Sequence, residues 1–245
     1  QARVGGLNAQ MFNSFLDGTK SAIEMCAVAN ATGLHAPEGL SFPPCGVDDL
    51  PRVLKPRDDG GQLHHAGQVE VISSLERDGR PVFRDLRWGV YVTFRAGATQ
   101  GEDYVQRCFR EYGFPTDPSG RYSAMYKPTH AIGLELGVSV ASVGLRREPT
   151  GAATGWRGDV VATAKRGLRA GETLDGEGGY TVYGKLAPAA ESLKLGALPL
   201  GLAHHVTLKR DVAAHHPVRW DDVAFDASSE AVRFRREMEA LLGSE

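Results

Sequence analysis

Asp17, Lys20 and Glu24 are the residues whose types and spacing could run acid–base chemistry. An ammonium group can give a proton to an oxygen that gains negative charge, and a carboxylate beside it can orient the donor. Lys20 and Glu24 are four apart, which puts them on one face of a helix. Asp17 falls at the turn just before, and Asn30 is a polar residue inside the small, apolar stretch 26–31. The elements that must position these groups can be read around them. Residues 11–16 read as a buried strand, Asp17-Gly18-Thr19 breaks it, and a helix follows from Lys20 to about Thr32. The Thr19 hydroxyl is placed to cap that helix, and Gly33 stops it in the manner of a C-terminal glycine. A polar cluster at the carboxyl end of a strand is where open α/β sheets place their ligands. Taken alone, the Lys20–Glu24 spacing reads as a solvated surface pair, which contributes little.

A second group lies at Tyr126-Lys127-Pro128-Thr129-His130, ahead of a helix expected over 131–145. Lys127 and His130 at the start of a helix favour an anion, phosphate or carboxylate. Each taken singly is an ordinary surface lysine or structural histidine. Glu135 inside that helix needs a partner, and Arg121 and Lys127 are the candidates. The glycines, alanines and serines of 133–144 imply close packing of the helix on another element.

The stretch Asp17-Gly18-Thr19-Lys20-Ser21-Ala22-Ile23-Glu24-Met25, followed by Val28-Ala29-Asn30-Ala31-Thr32-Gly33-Leu34, resembles the catalytic domain of homoserine-dehydrogenase-like oxidoreductases that carry a C-terminal SAF domain. Arg121-Tyr122-Ser123-Ala124-Met125-Tyr126-Lys127-Pro128-Thr129-His130-Ala131-Ile132-Gly133-Leu134-Glu135-Leu136-Gly137 is similar to a second block of the same family. Among characterised enzymes, these blocks resemble the 1-deoxy-D-xylulose-5-phosphate reductoisomerase-like enzymes of isoprenoid biosynthesis. The resemblance implies an NADP(H)-dependent oxidoreductase acting on a small polar hydroxy-carbonyl compound, phosphorylated or not. It implies a homodimer, and a nucleotide-binding domain ahead of these blocks that the sequence does not show. A divalent metal requirement stays open. On this reading Lys20 is the electrophile or proton donor, Asp17 and Glu24 orient it, and Asn30, Lys127 and His130 bind substrate. No Gly-x-Gly-x-x-Gly follows a strand, so the residues that bind coenzyme are unassigned and the chain is expected not to hold nicotinamide unaided.

Composition limits the other classes. The chain has 245 residues, 42% hydrophobic and 24% charged, the profile of a globular protein of one large domain or two small ones. A formal net charge of −2 gives no basic footprint for nucleic acid, and no apolar run is long enough for a membrane span. Three scattered cysteines (Cys26, Cys45, Cys108) without a Cys-x-x-Cys pair argue against disulfides and a zinc site, and for a reducing, cytoplasmic setting. The pairs His64-His65, His204-His205 and His215-His216 are adjacent, and neighbouring side chains diverge on a strand, so no metal is expected there. A start at Gln1 without methionine suggests a piece of a longer chain or a processed product.

The expected architecture is α+β: an antiparallel-sheet catalytic and substrate domain over 1–150, a small β-clip SAF domain over 156–226, and a C-terminal helix over 228–245. In the first domain, turn-rich segments span 35–61, a short helix 47–54, strands 68–75 and 88–94, and a helix 103–112. In the second, Lys165-Arg166 recurs as Lys209-Arg210 at an offset of 44 residues, with Leu168 and Ala170 matched by Val212 and Ala214. Such a repeat implies a small pseudo-symmetric β unit. Between the copies, 175–184 reads as a mobile loop, with 192–203 as a loop into the second copy. The rival functional reading is a non-enzymatic SAF-type module that holds a sugar-like ligand or a partner on a degenerate dehydrogenase scaffold. A third is a dimerisation core.

Overall fold

A computed structural model describes residues 1–87, 89–97, 102–130 and 133–242. In chain order the elements are α1 (Ala9–Leu16), α2 (Thr19–Thr32), a 3-10 turn Val47–Asp49 running into α3 (Leu50–Val53), β1 (Val90–Arg95), α4 (Glu102–Glu111), β2 (Tyr122–Lys127) and α5 (Leu136–Ala141). There follow β3 (Gly158–Ala164), β4 (Thr173–Asp175), β5 (Val182–Pro188), α6 (Ala189–Leu195), β6 (His204–Leu208), β7 (Val223–Ala224) and α7 (Glu230–Leu242). All paired strands are antiparallel, β1 with β2, β3 with β5, and β4-β6-β7, so the chain is α+β as expected. Two compact units emerge, residues 1–40 with 153–245, and residues 41–152. Residues 1–40 and 153–245 together make up the first of these units.

In the first unit the expected strand 11–16 is helix α1. Met11, Phe12, Phe15 and Leu16 recur at helical spacing, and the Asn8 side chain accepts from Met11 N–H at 2.9 Å to cap the first turn. Helix α2 begins one residue earlier than read. Its cap is not the Thr19 hydroxyl: the Asp17 carboxylate accepts from Thr19 N–H at 2.9 Å, and the Thr19 hydroxyl accepts from Gly184 N–H in β5 at 2.9 Å. Gly33 ends α2 at φ 77, with its N–H on Ala29 C=O. Ala22 and Ala29 are buried where α2 lies on β3 and β5. A Cβ at Gly184 would come within 2.7 Å of Val160, 2.8 Å of Leu200 and 3.2 Å of the Thr19 methyl, so glycine lets β3, the turn at 200 and the start of α2 close on β5.

The repeat is visible in the backbone of this unit. Leu168 and Val212 exchange both hydrogen bonds across the axis, at 2.8 and 3.0 Å. Gly171 N–H bonds Leu208 C=O at 2.8 Å, and 44 residues on His215 N–H bonds Ala164 C=O at 2.8 Å. Ala164 N–H to His216 C=O and Leu208 N–H to Glu172 C=O form another matched pair, both 2.9 Å. Leu168, Leu174, Val182, Leu198, Leu208, Val218 and Val223 fill the core between the copies. Residues 192–195, expected as loop, belong to α6. The tail helix α7 docks through Arg235, which reaches Asp159 Oδ2 at 2.6 Å and Glu239 Oε1 at 2.8 Å and lies 4.8 Å over the Trp156 ring.

In the second unit the ribbon β1–β2 pairs Val90 with Lys127 through Arg95 with Tyr122 and backs onto α3 and a core of Cys45, Leu50, Leu54, Leu63, Leu86 and Ala124. Trp88 of the expected strand lies outside the described residues. The expected strand 68–75 is extended coil. The Glu70 carboxylate takes the N–H and hydroxyl of Ser41, and Tyr91 donates to Glu70 C=O at 2.6 Å, so polar anchors replace a ladder there. The expected helix 131–145 is the shorter α5 followed by a π-helical turn Ser142–Arg146, with 131 and 132 outside the described residues. The expected close packing is not seen: Leu134, Leu136, Val138, Val140, Val143 and Leu145 are exposed.

Candidate active site

The turn between α1 and α2 opens on a cavity of about 490 Å³. Asn13, Asp17, Lys165, Tyr180, Tyr183 and His215 contribute to its walls. Asp17 is the terminal cap of α1 and also holds the first N–H of α2, so its carboxylate is fixed from both sides. Its partner cation is Lys165, at the end of β3, with Nζ 2.7 Å from Oδ2. The two side chains are 14% and 21% exposed, enough burial for the charges to depend on each other. The approach lies off the hydrogen-bonding direction, since Oδ2 has no aligned donor, so the contact is a charge pair. Lys165 also donates to Gly179 C=O at 2.5 Å.

The loop 175–181 forms the far wall, and it is pinned, not the mobile segment expected. Asp175 accepts from the N–H groups of Tyr180 and Thr181 and from the Thr181 hydroxyl. Burial alone would raise the Asp175 carboxyl, but these donors hold it below the usual carboxylate range. From α1, Gln10 donates to Asp175 and Glu177 C=O at 3.0 and 2.8 Å, and Asn13 to Gly178 C=O at 2.8 Å. Burial, and after it the Asp17 charge, push the Tyr183 phenol up, so it stays a proton-bearing donor at neutral pH.

The residues singled out in the sequence fare differently. Lys20 is half-buried on the first turn of α2 and Glu24 exposed one turn on. Neither has an ion-pair partner among the described residues, so they do not pair with each other. Asp17 does not orient Lys20, because Lys165 takes its charge. Asn30 is not available to substrate. Its Oδ1 accepts from Arg157 and Gly158 N–H at 2.7 and 2.9 Å and its Nδ2 donates to Gly158 C=O at 3.1 Å, fastening α2 to the start of β3. In the other unit, Lys127 is ion-paired with Glu135, and His130 is exposed beside them. Hydrogen bonding and charge from Lys127, then the nearby His130, hold the Glu135 carboxyl below its usual range. An incoming anion would compete with Glu135 for Lys127 across this exposed pair. Cys45 is buried, and burial and Asp49 push its thiol up to about 12; burial and Asp159 push Cys26 to about 11.

Sequence reasoning missed Lys165, Tyr183 and His215, which lie 148 residues or more from Asp17 and share no local pattern with it. The offset of Lys165 and Lys209 was the available signal: of two matched lysines, one is half-buried and the other exposed. Among the described residues no group of three His, Cys, Asp or Glu side chains could hold a metal ion. None of their helices is long and apolar enough to cross a membrane. Nor do these residues fit a dinucleotide cradle, which needs a parallel strand-turn-helix-strand unit, because every strand pairing is antiparallel.

No curated protein sequence matches the chain. A scan against protein families matches residues 1–136 to oxidoreductase DRL, catalytic domain. That segment carries α1, α2 and the ribbon β1–β2, with Asp17, Lys20 and Glu24 among its residues, and covers more than half of the chain. The chain belongs to the oxidoreductase DRL catalytic-domain family.

Proposed function

We propose that this chain forms the substrate side of an NADP(H)-dependent oxidoreductase that acts on a small polar hydroxy-carbonyl compound, in the manner of the 1-deoxy-D-xylulose-5-phosphate reductoisomerase-like enzymes. The observation that carries the reading is Lys20. It lies in the family-matched segment, half-buried, on the first turn of α2, and no carboxylate neutralises it among the described residues. Of the other buried or half-buried cations among the described residues, Lys55, Lys165 and Arg235 are paired with carboxylates, while Lys185, outside the family-matched segment, is not. An unpaired ammonium is free to donate to an oxygen that becomes an alkoxide, and Glu24 on the same face can return the proton. The nicotinamide coenzyme supplies the hydride, and its binding is assigned to residues other than those described here.

The test is Lys20→Met in the native protein that carries this chain, assayed for coenzyme-dependent carbonyl reduction. Loss of a positioned acid lowers kcat by about 10²–10⁴-fold, with the unfolding midpoint unchanged. Turnover equal to the wild type removes Lys20 from the mechanism. The rival binding-module reading is favoured by the cavity beside Asp17, which lies in the first unit, and is met by the same assay: a module without chemistry shows no turnover to lose.

A further inference from the structure

The two copies of the repeat are not equivalent at their corners. Gly171 turns the first copy at φ 86, and at the matched position 44 residues on the turn is made by His215 at φ 63. Glycine takes this left-handed conformation without penalty, whereas a residue with a Cβ is held there against its preference. The space beyond Gly171 is open, with nothing within 4 Å of a would-be Cβ. At His215 the side chain borders the cavity of Asp17 and Lys165. Strain retained at one of two matched sites, and only where a cavity lies, points to use of the imidazole.

The hydrogen-bonding balance of the cavity indicates what it takes. Its one carboxylate, Asp17, is committed to Lys165 and to Thr19 N–H. Asn13 is committed to the loop. Lys165 donates one N–H to Gly179 C=O and lends its charge to Asp17 without an aligned hydrogen bond, so its remaining N–H groups are not tied up. The His215 ring and the Tyr180 and Tyr183 hydroxyls have no partner among the described residues. Tyr183 keeps its proton, as argued above. Donors are in surplus and the single negative charge is neutralised. We propose that this cavity binds the oxyanion end of a small polar ligand, a carboxylate or a phosphate monoester, with His215 and Tyr183 as its donors and the Lys165 ammonium behind them. This goes beyond the role given to Lys20 and does not depend on it: binding is read here and turnover there, so each can fail alone.

The experiment is calorimetric titration of the full chain with inorganic phosphate and, separately, with glycolate. Saturable binding of phosphate assigns a phosphate monoester, and of glycolate a carboxylate. His215→Gly restores the residue its mate carries, so the unfolding midpoint is expected to hold while affinity for the bound anion falls about tenfold or more, the scale of one charge-assisted hydrogen bond. Tyr183→Phe, which removes a single oxygen, is expected to weaken binding about fivefold, and it alone decides if the glycine variant fails to fold. The inference is overturned if neither anion binds saturably, or if the folded variants titrate like the wild type.

Discussion

Replacing Lys55 by methionine tests whether the second unit is held by its buried charges. Lys55 Nζ lies 2.9 Å from Asp117 Oδ2, with side chains 10% and 1% exposed, and over the Tyr122 ring at 5.5 Å. Asp117 also accepts from the Ser119 hydroxyl and from Tyr122 N–H at 3.1 Å, which shapes the turn into β2. Methionine fills most of the lysine volume, so packing is nearly conserved and the change isolates the charge. It leaves a buried carboxylate with two neutral donors. Breaking one side of such a pair costs about 3–5 kcal/mol, which in a chain of this size lowers the unfolding midpoint by about 6–20 °C. Thermal unfolding followed by circular dichroism is the assay. The double variant Lys55→Met/Asp117→Asn removes the orphaned charge and should recover at least half of the loss. A single-variant shift under about 3 °C, or a double variant no better than the single, refutes the argument. The pH dependence has a definite sign. Burial alone would raise the Asp117 carboxyl, but Lys55, Tyr122 N–H and Ser119 hold it below the usual range. Its stabilisation is therefore complete above the unfolded carboxylate pKa of about 3.9 and is lost as pH falls through the lower folded value. The gap between wild type and Asp117→Asn should be constant above about pH 5 and narrow below about pH 4.

Arg235→Met takes from Asp159 its cation, leaving it the neutral donors Ser192 and Val160 N–H, while Glu239 keeps Arg236 and the Trp220 N–H; it should loosen α7 and cut stability by about 3 kcal/mol, limited proteolysis at the tail checks it, and an unchanged cleavage rate counts against the docking role. Arg235→Lys should fall between, since an ammonium cannot serve both carboxylates and stack on Trp156 as a guanidinium does. Gly178→Ala should cost more than Gly171→Ala in urea unfolding. Both are left-handed, at φ 71 and 86, but only at 178 would the Cβ meet a neighbour, 1.9 Å from Gln10 C=O. Equal midpoints would show that the loop moves freely away from α1.

Local signals in the sequence were read well where they are local in space. Gly33 ends α2, the short helix at 47–54 and the helix at 103–112 lie where periodicity puts them, and the 44-residue repeat reappears as matched hydrogen bonds. At 11–16 apolar content alone suggests a strand, whereas the Asn8 cap and the spacing of Met11 and Phe15 specify a helix. The site was half legible. Lys20 and Glu24 could be placed on one face because a helix has a fixed period. The partner of Asp17 could not, because Lys165 is brought in by the pairing of β3 with β5 and the seating of α2 on both. No periodicity in one chain encodes such a long-range contact. The polarity of Asn30 suggests a ligand, whereas its hydrogen-bonding sites are what a helix needs to dock on a strand's first residues.

The packing of residues 1–40 against 153–245 bears on how the protein can be divided. Expressing only the family-matched segment would strip α2 of the strands beneath it. The hydroxyl of Thr19 would lose the Gly184 amide, Asp17 would lose its lysine, and Ala22 and Ala29 would face water. Such a truncate would carry the sequence hallmarks of the enzyme with its opening helices unsupported. A failure of that piece to react would say nothing about the chemistry of Lys20.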